Sequence, residues 1–222
     1  MNIFIESVSI DEIRQASAAG FADGVIFSEY DHSAGQAAVG AHDLIAAIAQ
    51  EFAVPICVEV GAISGDDMYQ AARELARISD NVVVQLPLVE DALVPMHRLN
   101  AEGIGICATY VFNGAQAVLA AKAGASMVRV SLHDLDAQGQ TSTNAVTEIR
   151  SLLAASECEC DVMVASPRTT TQFTECITAG AQIVCVEPAV LRSLLLHPLT
   201  DRGLDRFLSS LSKRPRAPVD QQ

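Results

Sequence analysis

The sequence predicts an α/β protein, a (β/α)8 TIM barrel with one extra C-terminal helix. Three observations carry the prediction. Eight short β-rich segments recur along 222 residues and alternate with stretches of helical period. Most are near-continuous apolar runs, such as Val82-Val83-Val84 and Ile183-Val184-Cys185-Val186, as parallel strands covered on both faces require. The helix-to-strand joints also repeat. Ala19-Gly20, Glu102-Gly103, Ala123-Gly124 and Ala179-Gly180 each place glycine where a left-handed helix cap is needed.

In chain order the strands are expected near Asn2–Glu6, Gly24–Ser28, Pro55–Val60, Asn81–Leu86, Gly105–Thr109, Ser126–Ser131, Asp161–Ser166 and Gln182–Glu187. After the first, Ser9 and Glu12 stand at capping-box spacing and open a helix at Ile10. Ser64–Ile78, Glu90–Ala101 and Asn113–Ala123 are alanine- and leucine-rich helices. Thr143–Ala155 sets Ala145, Ile149, Leu152 and Leu153 along one side. Thr169 and Gln172 repeat the capping spacing before Ile177. Thr200–Ser212 is amphipathic, with Leu204, Phe207, Leu208 and Leu211 on one face. That face has two available partners, its own barrel and a neighbouring subunit. The chain thus divides into a barrel over 1–199, a helix over 200–212 and a disordered basic tail over 213–222. A doubly wound open sheet is the alternative, but no Gly-x-Gly-x-x-Gly follows the first strand.

Composition excludes several classes. The net charge of −13 argues against a nucleic-acid partner. Half of the residues are hydrophobic, too many for disorder. No run approaches a membrane span, and the first residues lack a signal-peptide pattern, so the expected address is the cytoplasm. Six cysteines in this length do not make a disulfide scaffold. Cys57, Cys107 and Cys185 read as buried small hydrophobes, and the Cys158-Glu159-Cys160 pair as surface thiols, with a metal or redox site the lesser alternative because no second ligand pair accompanies it. The chain has only two lysines, Lys122 and Lys213.

In such barrels chemistry gathers at the C-terminal strand ends. Here those ends carry Glu6, Ser28, Glu59, Gln85, Thr109, Arg129 with Ser131, Ser166 with Arg168, and Glu187. Glu6 and Glu59 are positioned to share a proton and work as general acid and base. With His133 or Glu187 they also offer oxygen and nitrogen ligands to a divalent metal. The five histidines show no metal-ligand spacing. Ser166-Pro167-Arg168, ahead of a helix start, reads as an anion pocket. The bland alternative is a polar network that only satisfies itself.

The chain resembles the small transaldolases, in particular their fructose-6-phosphate aldolase-like branch. The carriers are Phe4-Ile5-Glu6-Ser7, Gly24-Val25, Asn81-Val82-Val83-Val84-Gln85-Leu86-Pro87, Ala101-Glu102-Gly103-Ile104, Ala123-Gly124-Ala125, Leu135-Asp136-Ala137-Gln138-Gly139 and Val164-Ala165-Ser166. The resemblance implies carbon–carbon bond chemistry on ketose phosphates through a lysine Schiff base at the end of strand four. The matching position is Gln85, whose amide cannot form an imine. Other matching positions differ as well: Glu6 for an aspartate, Ser28 for an asparagine, Glu59 for a glutamine, Ser131 for a tyrosine, and Asp134 for a phosphate-binding arginine. Thr109 and Ser166 are kept, and Arg168 stands where a basic residue is common.

The expected function is therefore that of a transaldolase-like protein that has lost Schiff-base catalysis. It would bind a small carbonyl or sugar-phosphate ligand through Ser28, Arg129, Ser131, Ser166 and Arg168, with Glu6, Glu59, Gln85 and Thr109 at the reacting end. No cofactor is needed for that reading. One alternative is a metal-dependent aldolase or lyase using Glu59, Glu6 and His133. The other is a pseudoenzyme with an assembly role. The resemblance also implies a pentamer-based homo-oligomer, a decamer, with 200–212 as the oligomerisation helix.

Overall fold

Inward and outward side chains alternate along each strand, which lets one sheet close on itself and cover its outer face with helices. The computed structural model describes residues 1–27, 30–31, 36–37 and 40–212; Ser28 and the tail from 213 lie outside the described residues. Eight parallel strands form a closed barrel: β1 (Asn2–Glu6), β2 (Gly24–Phe27), β3 (Ile56–Glu59), β4 (Val82–Pro87), β5 (Gly105–Thr109), β6 (Met127–Ser131), β7 (Asp161–Ala165) and β8 (Ile183–Val186). Each pairs with its sequence neighbours, and β8 pairs with β1 to close the ring. A two-residue antiparallel ladder, Tyr30–Asp31 with Gln36–Ala37, follows β2.

The helices are α1 (Ile10–Ala18), α2 (Ala41–Glu51), α3 (Gly65–Ala76), α4 (Glu90–Ala101), α5 (Gly114–Lys122), α6 (Leu132–Ala137), α7 (Ser142–Ala155), α8 (Thr170–Thr178), α9 (Pro188–Ser193) and α10 (Pro198–Ser212). Strand ends agree with the sequence-based expectation to within a residue. Three helices, α2, α6 and α9, go beyond it. The cap of α1 differs in detail. Glu12 N–H donates to Ser9 Oγ, but the Glu12 carboxylate accepts from Ser7 Oγ rather than reaching back to the cap. Among the described residues no helix is long and apolar enough to cross a membrane.

The register stacks the inward side chains in layers of four, each drawn from alternate strands. Gly24, Val83, Met127 and Ile183 form the lowest layer. Phe4, Cys57, Cys107 and Met163 lie above it. Ile26, Gln85, Arg129 and Cys185 come third, and Glu6, Glu59, Thr109 and Ala165 face the mouth. The apolar members form one buried cluster inside the barrel. Gly24 is required there, because a Cβ would stand 2.5 Å from the Phe4 ring that fills the space. A second, larger cluster lies between barrel and helices and includes Ile5, Val25, Val58, Ile106 and Val128 with Ile13, Ile45, Met96 and Ile149.

All six cysteines are free. Cys57, Cys107 and Cys185 are buried as expected, and burial pushes the Cys107 thiol up to about 12. The surface reading of Cys158 and Cys160 needs correction: Cys160 is buried, and only Cys158 is half-exposed. The chain turns back after α7, so Cys160 N–H donates to Cys158 O and its side chain faces the core. At pH 8 a chromogenic disulfide reagent should therefore find one fast thiol, Cys158. The remaining five should react only on denaturation. Two or more fast equivalents would mean that the barrel opens readily.

Candidate active site at the barrel mouth

The mouth is a cavity of about 510 Å³ lined by Glu6, Glu59, Thr109, Tyr110, Phe112, Arg129, Ser131, His133, Asp134, Ala165, Ser166 and Arg168. That volume suits a small-molecule ligand. Seven of the nine residues singled out from sequence line it. An eighth, Gln85, lies just beneath and is buried. The ninth, Ser28, falls outside the described residues. Glu187 does not line the cavity; it is exposed and precedes α9.

Arg129 organises the floor. It projects from β6 into the barrel, where its Nη2 donates to Glu6 Oε1 at 3.1 Å and its Nη1 to Gln85 Oε1 at 3.4 Å. Its Nε is buried and has no hydrogen-bond partner among the described residues. Burial works against the guanidinium charge, but the carboxylates of Glu6 and Glu59 around it favour it, and its pKa stands above the usual value. Glu6 is engaged on both oxygens, since Oε2 accepts from Cys185 Sγ at 3.4 Å. Burial, with Glu6 adding to it, keeps Cys185 a neutral thiol well above its ordinary range. Glu6 is thus bonded to Arg129 and Cys185 and not to Glu59, so the pair of acids does not share a hydrogen bond among the described residues.

The rim is shaped by loops. Tyr110 and Ser166 both adopt left-handed backbone, with φ of 58° and 60°. Such a conformation in non-glycine residues costs roughly 1–3 kcal/mol and clusters at functional sites. Ser166 is fixed by its N–H on Cys185 O, and Phe112 by its N–H on Gln116 Oε1. Ser131 caps α6, accepting from Asp134 N–H, so its hydroxyl is already partly committed. Arg168 is exposed, and its backbone N–H donates to Gln172 Oε1 at the start of α8. Tyr110 and Phe112 were not among the sequence-based candidates. Their signal is two aromatics just past a strand end, in a chain with few aromatics.

No lysine stands at this face among the described residues. Lys122 ends α5 and is exposed. Because helices run back against the strands, that helix end lies at the base of the barrel. Nor do three His, Cys, Asp or Glu side chains converge as a metal-ligand set among the described residues. The cation beside Glu6 is Arg129.

The sequence profile of the transaldolase/fructose-6-phosphate aldolase family matches residues 7–221. A probable transaldolase of Rhodospirillum centenum is 36% identical over 223 residues, covering 100% of this chain and 95% of its own. A probable transaldolase of Bdellovibrio bacteriovorus is 34% identical over 213 residues, covering 96% and 98%. One from Bacillus cereus is 33% identical over the same span. With its closed eight-stranded barrel and this full-length similarity, the chain belongs to the transaldolase/fructose-6-phosphate aldolase family.

Proposed function

We propose that this chain is a family member without Schiff-base chemistry, which binds a small carbonyl compound or sugar phosphate noncovalently at the barrel mouth. The observation that carries the reading is the floor of the site. Its basic group is Arg129, held by Glu6 and Gln85, and among the described residues no lysine offers an amine there. A guanidinium stays protonated and is no nucleophile. Ser166 and Arg168 provide the rim for a distal anionic group, with Asp134 opposing it. Glu59 supplies acid–base chemistry in place of an imine, with Glu6 holding Arg129, and no cofactor enters. Six free thiols suit a reducing compartment, the cytoplasm.

Borohydride reduction in the presence of fructose 6-phosphate or dihydroxyacetone phosphate should leave the intact mass unchanged. The same ligands should raise the melting temperature, since a ligand at 100 times its dissociation constant adds about 2.7 kcal/mol. A reduced adduct on any residue would overturn the noncovalent reading. No melting shift with either ligand would overturn the ligand class.

An assembly role is the second reading, favoured by α10. Its Leu204, Phe207, Leu208 and Leu211 are 42–57% exposed on the isolated chain. We propose that residues 200–212 pack on a neighbouring subunit in a pentamer-based decamer. Light scattering at micromolar concentration should report an oligomer; a monomer would overturn the role of this helix.

A further inference from the structure

Resting on the reading of the mouth as a noncovalent carbonyl site, we propose that it catalyses proton abstraction beside a carbonyl, with Arg129 as electrophile and Glu59 as base. The two acids of the mouth are not equivalent. Both oxygens of Glu6 are occupied, one by Arg129 and the other by Cys185. Glu59 lines the same cavity and makes no side-chain hydrogen bond among the described residues. Glu6 is thus the positioning residue, and Glu59 is the carboxylate left to take a proton.

Arg129 is suited to hold the charge that forms. A guanidinium has five N–H donors, and among the described residues two of Arg129's are engaged, by Glu6 and Gln85, while its buried Nε has no partner. Those two partners lie on different strands, β1 and β4, and fix the plane of the cation before any ligand arrives. A rigid cation in a partly desolvated pocket stabilises an oxyanion without reorganising. An imine would draw electrons through a covalent bond; here the guanidinium does so through hydrogen bonds.

The substrate class follows from the layout. It is a short-chain α-hydroxy ketone or aldehyde, its carbonyl oxygen on Arg129 and its hydroxyl-bearing carbon toward Glu59. A distal phosphate or hydroxyl points to Ser166 and Arg168. In the reacting step the Glu59 carboxylate takes the proton from that carbon. The C–H electron pair becomes a C=C bond, and the carbonyl π pair settles on oxygen against Arg129. The proton on Glu59 then exchanges with solvent or returns to either carbon of the enediolate. Return to the former carbonyl carbon, with the hydroxyl proton passing to the neighbouring oxygen, interconverts ketose and aldose.

The test is deuterium exchange into dihydroxyacetone and dihydroxyacetone phosphate in D2O, followed by proton NMR with the full-length protein. Wild type should exchange carbon-bound protons about 100-fold faster than buffer, at the low end of general-base contributions. Glu59→Gln should remove that enhancement while keeping the ligand-induced melting shift. The paired variant Glu6→Gln/Arg129→Gln, which removes both charges together and leaves none unpaired, should fold by circular dichroism and lose exchange at least tenfold. Buffer-rate exchange by wild type that still shows a melting shift would overturn this assignment and leave noncovalent binding standing. Exchange that survives Glu59→Gln would also overturn it. Neither shift nor exchange would overturn both readings.

Discussion

Arg129→Met should lower the unfolding free energy by about 2–4 kcal/mol, the largest loss expected from one change at the mouth. Methionine fills the stem's volume but removes the cation between β6 and β1. Glu6 then keeps its charge beside Cys185 without the ion pair it makes among the described residues. Removing one partner of a fully buried pair costs about 3–5 kcal/mol. Here the side chains of Arg129 and Glu6 are 21% and 22% exposed, so water takes part of that cost. Replacing both, as Glu6→Gln with Arg129→Met, should recover most of the loss. Urea unfolding of the three proteins measures this. A single-variant loss under about 1 kcal/mol would rank the pair with surface ion pairs.

Alkaline pH should unfold the protein with unusual steepness between about pH 9 and 12. Burial raises the thiols of Cys57, Cys107, Cys160, Cys176 and Cys185, to about 12 for Cys107 and Cys160 and about 11 for Cys176. An unfolded cysteine titrates near 8.5. Below that pH both states hold their protons and stability is unaffected. Above it the unfolded chain releases protons that the folded one retains, so stability falls until the folded thiols ionise. Each such thiol contributes up to about 1.4 kcal/mol per pH unit. Five such thiols together make stability fall steeply as pH rises through that window. Circular dichroism against pH reads the midpoint. Cys107→Val, apolar and unable to titrate, should move that midpoint upward. An unmoved midpoint would show that thiol ionisation does not drive the transition.

The barrel was legible because its strands are apolar on both faces, and Val82-Val83-Val84 admits few other readings. The strand-end rule then placed Glu6, Glu59, Thr109 and Arg129 in one cavity before any geometry. Helix α2 escaped because Gly40 starts it with no side-chain cap. Helix α9 did carry a signal, a proline at its first turn. The partner of Arg129 was beyond reach, since Glu6 lies 123 residues away and only barrel closure brings β1 across from β6. Likewise Cys160 sits in a short turn without period, so its burial had no sequence correlate.

The Arg129–Gln85 contact also bears on how such a mouth can change through mutation. A single base turns either glutamine codon into a lysine codon, so an amine at position 85 is genetically near. At that position, however, the new ammonium would stand where Gln85 Oε1 now accepts from Arg129 at 3.4 Å. Two cations would then crowd one layer of the barrel, with Glu6 the acid already bonded to Arg129. The two positions are therefore epistatic. An amine fits there more readily once Arg129 is replaced, and that replacement removes the ion pair Glu6 makes among the described residues. The Arg129–Gln85 pair thus disfavours an amine at position 85 for as long as Arg129 stands beside it, although the codon change is a single base.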